Sequence, residues 1–77
     1  MSARRPRVTA AQAIRVLEKL GFAVARQSGS HKVYKNAAGQ RVTVPFHARK
    51  ILHPKVLKSI LIDAGLTEEE FVRLLKE

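Results

Sequence analysis

The chain has 77 residues, 45% of them apolar, and a net charge of +9 from fifteen basic and six acidic side chains. That length gives one domain and one core, with only roughly 60% of the unfolded surface buried on folding, and the apolar share excludes a compositionally disordered chain. There is no cysteine, which excludes a disulfide framework and thiolate metal sites. No run approaches the ~18 apolar residues of a membrane span, and no apolar segment follows the arginines at 4, 5 and 7. The expectation is a cytoplasmic protein without a secretory signal.

The distribution of charge says more than its sum. Between Lys19 and Ile62 there is no Asp or Glu, while Lys19, Arg26, Lys32, Lys35, Arg41, Arg49, Lys50, Lys55 and Lys58 all fall there. The acids are Glu18, Asp63, Glu68, Glu69, Glu70 and Glu77. Folding this chain must leave a surface with an unopposed positive field, which attracts phosphodiester backbones. A surface kept basic for solubility alone has no need of an acid-free stretch of this length.

The first predicted element is a helix over residues 10–20. Thr9 and Gln12 have capping-box spacing, with Val8 and Ala13 as the flanking apolar pair. Ala13, Ile14, Leu17 and Leu20 form its apolar stripe, and Gly21 suits the residue after the helix. Three strands are expected next, over residues 22–27, 31–35 and 40–44. The turn signals Ser28-Gly29-Ser30 and Asn36-Ala37-Ala38-Gly39 separate them. Phe22 and Val24 are expected on one face, Val33 and Tyr34 on opposite faces. Pro45 is expected to end the third strand, because proline cannot donate to a ladder.

Residues 46–53 read as a basic loop. Pro54 then suits the first turn of a helix carrying Val56, Leu57, Ile60, Leu61 and Ala64 as its stripe and closed by Gly65. Thr67 and Glu70 make a second capping box, flanked by Leu66 and Phe71. The last helix, over 68–76, has an acidic first turn that suits the helix dipole. Tight connections between the strands imply an antiparallel meander, covered on one face by the two longer helices and open to water on the other. The expected fold class is α+β, a double-stranded-RNA-binding-domain-like α-β-β-β-α arrangement with a short C-terminal helix and a three-stranded antiparallel sheet. Residues 1–7 read as a flexible basic tail and 8–77 as the single domain.

Among residues able to carry chemistry, His31 stands first. It lies where a tight turn enters a strand, beside Lys32 and near Lys35. Imidazole is the natural proton-transfer group at neutral pH, and RNA brings its own nucleophile in the 2′-hydroxyl. Spacing alone leaves His31 open between that role and an ordinary strand histidine. His47, just past the third strand, is expected near His31 at one end of the sheet, as a second catalytic or phosphate-contacting group or as a loop residue without a role. His53 precedes Pro54 and reads as a helix N-terminal residue rather than a catalyst. Lys32, Lys35, Arg41, Arg49 and Lys50 are the candidate RNA contacts, and Tyr34 a stacking residue if it faces outward.

Three histidines at these spacings match no metal signature, so no metal and no cofactor is expected. Ser28-Gly29-Ser30 lacks the spacing of a nucleotide phosphate loop. The one aspartate, Asp63, lies in the second helix, away from any Ser-His-Asp arrangement. Strands between the helices do not support a helix-turn-helix.

Three segments taken in order carry a resemblance. They are Gly29-Ser30-His31; then Gly39-Gln40-Arg41-Val42-Thr43-Val44-Pro45-Phe46-His47; then Leu57-Lys58-Ser59-Ile60-Leu61-Ile62-Asp63-Ala64-Gly65-Leu66. With Leu20-Gly21-Phe22 at the end of the first helix, they resemble the HicA-type, or YcfA-like, mRNA interferase toxins over about residues 8–75. The resemblance implies the same double-stranded-RNA-binding-like fold, ribosome-independent cleavage of mRNA, His31 as the catalytic histidine, and Pro45 and His47 as the family's proline-any-histidine. It also implies a HicB-type antitoxin as partner. At the start of the second long helix, where the family usually has Gly-Thr-Leu, this chain has Lys55-Val56-Leu57. A non-catalytic RNA-binding module, and a protein acting mainly through a protein partner, are the competing readings; only the nuclease needs the His31 imidazole.

Overall fold

The computed structural model describes residues 7–47 and 50–77. Its elements, in order, are α1 (Ala10–Lys19), β1 (Ala23–Ser28), β2 (His31–Lys35), β3 (Arg41–Pro45), α2 (Pro54–Ala64) and α3 (Glu68–Lys76). This is the expected α+β order, with an antiparallel sheet of strand order β1-β2-β3. The expected tail falls almost entirely on residues 1–6, outside the described residues.

Both capping boxes form. Thr9 accepts from the Gln12 N–H and Thr67 from the Glu70 N–H, while the Gln12 and Glu70 side chains accept from the cap backbones in return. Each reciprocal pair satisfies two amides that the first helical turn would leave without partners. The stripe on α2 is as expected, with Leu57, Ile60, Leu61 and Ala64 buried.

α1 departs from its expected stripe at three places. Ala10 and Val16 are fully buried, and Leu20, the C-cap beyond the helix end, is 37% exposed. Val16 is covered because α3 packs along a second flank of α1. Phe71 of α3 is fully buried, and the Lys19 ammonium donates to the Leu74 carbonyl at 2.7 Å. Lys19 is thereby drawn to the end of α3, where a cation suits the unpaired carbonyls.

The core lies between the helices and one face of the sheet. Tyr34, Val42 and Val44 supply the sheet's share, Leu17, Ile60 and Phe71 much of the helices'. α1 and α2 pack over β3, so the cover ends before β1. Every residue of β1 is consequently exposed. Phe22 is buried just ahead of the strand, but Val24, on the helix side, is 54% exposed.

A strap joins the loop before α2 to the entry of α1. The Leu52 N–H donates to the Val8 carbonyl at 2.7 Å, and Thr9 and Ile51 form an antiparallel bridge. Val8 and Leu52 are both buried there.

Candidate functional site

The site is built from a turn and a register. Ser28 and His31 face each other across the β1–β2 hairpin, leaving Gly29 and Ser30 as a two-residue loop. Gly29 lies at φ +57° while Ser30 stays at negative φ. That pattern is the type II′ hairpin turn, which wants glycine first and matches the twist of the flanking strands. The Ser-Gly-Ser sequence therefore fixes where His31 begins β2.

Across the sheet His31 pairs with Pro45, Val33 with Thr43, and Lys35 with Arg41. Residues directly opposed share a face, so His31, Lys35, Arg41 and Thr43 stand together on the open side, all exposed. On β1, a bulge between Val24 and Arg26 places Arg26 opposite Val33 and Ser28 opposite His31, which adds Arg26 to the same side.

The Phe46 N–H donates to the Ser30 carbonyl. That bond lies outside the His31–Pro45 pair, so this is a non-hydrogen-bonded pair, the narrow kind in which Cα atoms approach to ~4.5 Å. Proline costs nothing toward β2 at such a position, because its nitrogen faces the outer edge. Pro45 ends the third strand as expected, standing as its last residue.

His47 follows two residues later, exposed at the same end of the sheet as His31. The Lys50 N–H donates to the His47 carbonyl at 2.8 Å, and Lys50 is exposed beside it. Arg49, expected as an RNA contact, lies outside the described residues.

Lys32 sits apart from the other candidates. Alternation puts it on the helix side with Tyr34 and Val44, and its ammonium lies 4.1 Å from the centroid of the Phe46 ring. Its charge is held over an aromatic face at the sheet's end rather than beside His31. The period of two that separates Val33 from Tyr34 was the available signal for this.

Tyr34, considered for stacking, is 3% exposed and belongs to the core. Burial, with a smaller effect of the nearby Glu18 carboxylate, holds its phenol above the ordinary value. Glu18 thus acts on the helix side, as does Glu70, whose carboxyl is held below its usual range by the Thr67 backbone and hydroxyl bonds. Glu68 and Lys58 line a separate cleft between α2 and α3. These acids leave the open face to its cations.

His53 is the N-cap of α2, its Nδ1 accepting from the Lys55 N–H at 3.1 Å. It also lines a depression with Pro45, His47, Lys50, Ile51, Leu52 and Val56. Sequence spacing gave no sign of that grouping, because the strap that folds the loop back is a tertiary contact. No group of three or more metal-ligating side chains occurs among the described residues, and none of their helices is long and apolar enough to cross a membrane.

A family profile described as HicA toxin of bacterial toxin-antitoxin matches residues 10–66. The chain belongs to the HicA toxin family. It is therefore the toxin of a toxin–antitoxin system, with an antitoxin as its partner. The matched span runs from α1 to the end of α2 and contains His31, Pro45, His47 and His53. α3 lies beyond it, although Phe71 completes the core. Comparison with curated proteins found no match.

Proposed function

We propose that this HicA toxin is a metal-independent endoribonuclease that cuts mRNA with His31. The observation that carries the reading is His31's position on the open sheet face, in register with Pro45 and sharing that face with Lys35, Arg41 and Arg26, in a chain of this family. A single-stranded backbone drawn onto the cations presents a 2′-hydroxyl to the imidazole. His31 takes the hydroxyl proton, the 2′-oxygen forms a bond to phosphorus, and the bond from phosphorus to the 5′-oxygen breaks. The departing oxygen takes a proton from water or from His47. Products are a 2′,3′-cyclic phosphate and a 5′-hydroxyl. Cations at the face offset charge building on the phosphoryl oxygens. The nucleophile belongs to the substrate, so the route calls for no metal.

A HicB-type antitoxin is the proposed partner, covering the basic open face with acidic surface and closing off His31. An antitoxin seated wholly on the Glu68–Glu70 side, with His31 left open, would refute steric blocking.

His31→Ala tests the catalytic role. The imidazole is exposed and no core side chain depends on it, so the variant folds. It binds RNA, because the field comes from lysines and arginines. Cleavage falls roughly 10²–10⁴-fold. Substrate with hydrogen in place of every 2′-hydroxyl stays intact, and chelators leave the rate unchanged. A folded His31→Ala protein cutting at the wild-type rate would overturn the assignment and leave RNA binding as the function.

A further inference from the structure

The depression beside β3 contains His47 but not His31. It holds about 110 Å³ and is lined by Pro45, His47, Lys50, Ile51, Leu52, His53 and Val56. Among the described residues its polar rim is basic, from two imidazoles and one ammonium. Its other walls are apolar, and Ile51 is left 53% exposed there. A space of this size, open to solvent on one side, can seat a phosphate with part of a sugar.

Two details aim this depression at a nucleic-acid backbone. Pro45 forms one wall and is also the cross-strand partner of His31. His47 lies two residues on, a span of at most about 7 Å, which is the scale of one nucleotide step. In addition, the Lys55 N–H bond to Nδ1 of His53 leaves that nitrogen unprotonated. The ring proton then sits on Nε2, so His53 presents a donor in its neutral form. Its cap fixes which nitrogen is free to meet an acceptor.

We propose that this depression is a second phosphate subsite, in which His53, His47 and Lys50 grip the RNA phosphodiester next to the one His31 acts on. The adjoining ribose rests on Ile51 and Val56. His47 is then a backbone-holding residue rather than the general acid, and water protonates the departing 5′-oxygen. The subsite rests on the RNA-cleaving reading for its ligand, while its test needs no cleavage.

The probe is a short all-2′-deoxy oligothymidylate, which lacks the nucleophile. It is titrated into the full chain while the ring resonances of the three histidines are followed by NMR. All three are expected to shift on one saturation curve. Inorganic phosphate, in a parallel titration, is expected to need far higher concentration, since it engages one subsite and not a continuous groove. His53→Asn keeps a strong helix cap but falls short of the phosphate, and is expected to weaken oligothymidylate binding about tenfold. His53→Asp also caps, opposes the phosphate with a like charge, and weakens binding further; melting curves establish that both variants are folded.

A shift at His31 without shifts at His47 and His53 would overturn the subsite. So would wild-type affinity in the folded His53 variants, or inorganic phosphate binding as tightly as the oligonucleotide. If His31→Ala still cuts RNA while the His47 and His53 rings respond, the subsite stands and the catalytic assignment fails.

Discussion

Gly29→Ala isolates the contribution of the hairpin turn to catalysis. A Cβ at Gly29 would meet no atom within 4 Å, so crowding contributes nothing and the φ of +57° decides the outcome. An L-residue in the left-handed region costs roughly 1–2 kcal/mol. Alanine recovers roughly 0.4–1 kcal/mol by restricting the unfolded chain. The net loss is about 1 kcal/mol, which lowers the Tm of a domain this small by roughly 4–8 °C. Gly39→Ala is a matched control. Gly39 lies at φ +87°, again with nothing within 4 Å, but in the β2–β3 loop near Lys35 and Arg41. Strain at position 29 is relieved by reshaping the turn, which swings His31 away from Pro45; a slip of one residue would put it on the helix side altogether. Both variants are therefore expected to melt lower by similar amounts, measured by circular dichroism. Only Gly29→Ala should also lose cleavage at a temperature where both are folded, by about tenfold or more, since ångström-scale misplacement is enough for that. Equal cleavage by the two variants would refute the claim that this turn sets the catalytic geometry.

Tyr34 is the one tyrosine, so an absorbance titration of the phenolate reports it directly. Ionisation is expected above the ordinary value because burial and Glu18 both oppose it. Its share of stability is complete below the unfolded pKa of about 10 and is lost as pH rises through the higher folded value. Glu18→Gln should lower the midpoint but not restore it fully, since burial remains the larger cause. Thr67→Ala removes the α3 cap and should cost about 1 kcal/mol in a chemical melt. It should also lessen, without abolishing, the part of acid sensitivity due to Glu70, because the Thr67 backbone N–H, the larger cause, remains in alanine; that depressed carboxyl stabilises the fold above its unfolded pKa and ceases to do so as pH falls through the folded one. Lys35→Gln and Arg41→Gln should each flatten the salt dependence of RNA binding by about one contact, read from anisotropy across a salt series; unchanged slopes would move the RNA off the open face.

Local signals carried most of the fold. Thr9 with Gln12 and Thr67 with Glu70 announced two helices because both halves of each box lie within one turn. Gly29 and Pro45 announced the hairpin and the end of β3 for equally local reasons. What was not legible depends on elements far apart in the chain. Val16 is buried only because α3 returns to cover α1, and the Lys19–Leu74 bond joins residues 55 apart. At the site, His31 was singled out by its turn and its chemistry. The displacement of Lys32 onto Phe46 needed the strand faces to be combined with a ring from beyond β3. His53 was rightly read as the head of α2, but its place beside His47 needed the strap from Leu52 to Val8.

The bulge in β1 bears on a protein that must act once its antitoxin is gone. β1 is an edge strand with no helix over it and with Val24 exposed, the sort of border onto which a second chain can add a strand. Between Val24 and Arg26 the register skips a residue, which breaks the even spacing of amides and carbonyls that an incoming strand would have to match. Arg26 places a like charge in the path of any identical chain. The same few residues that bring a cation to the open face thus oppose the addition of a second chain along the β1 edge.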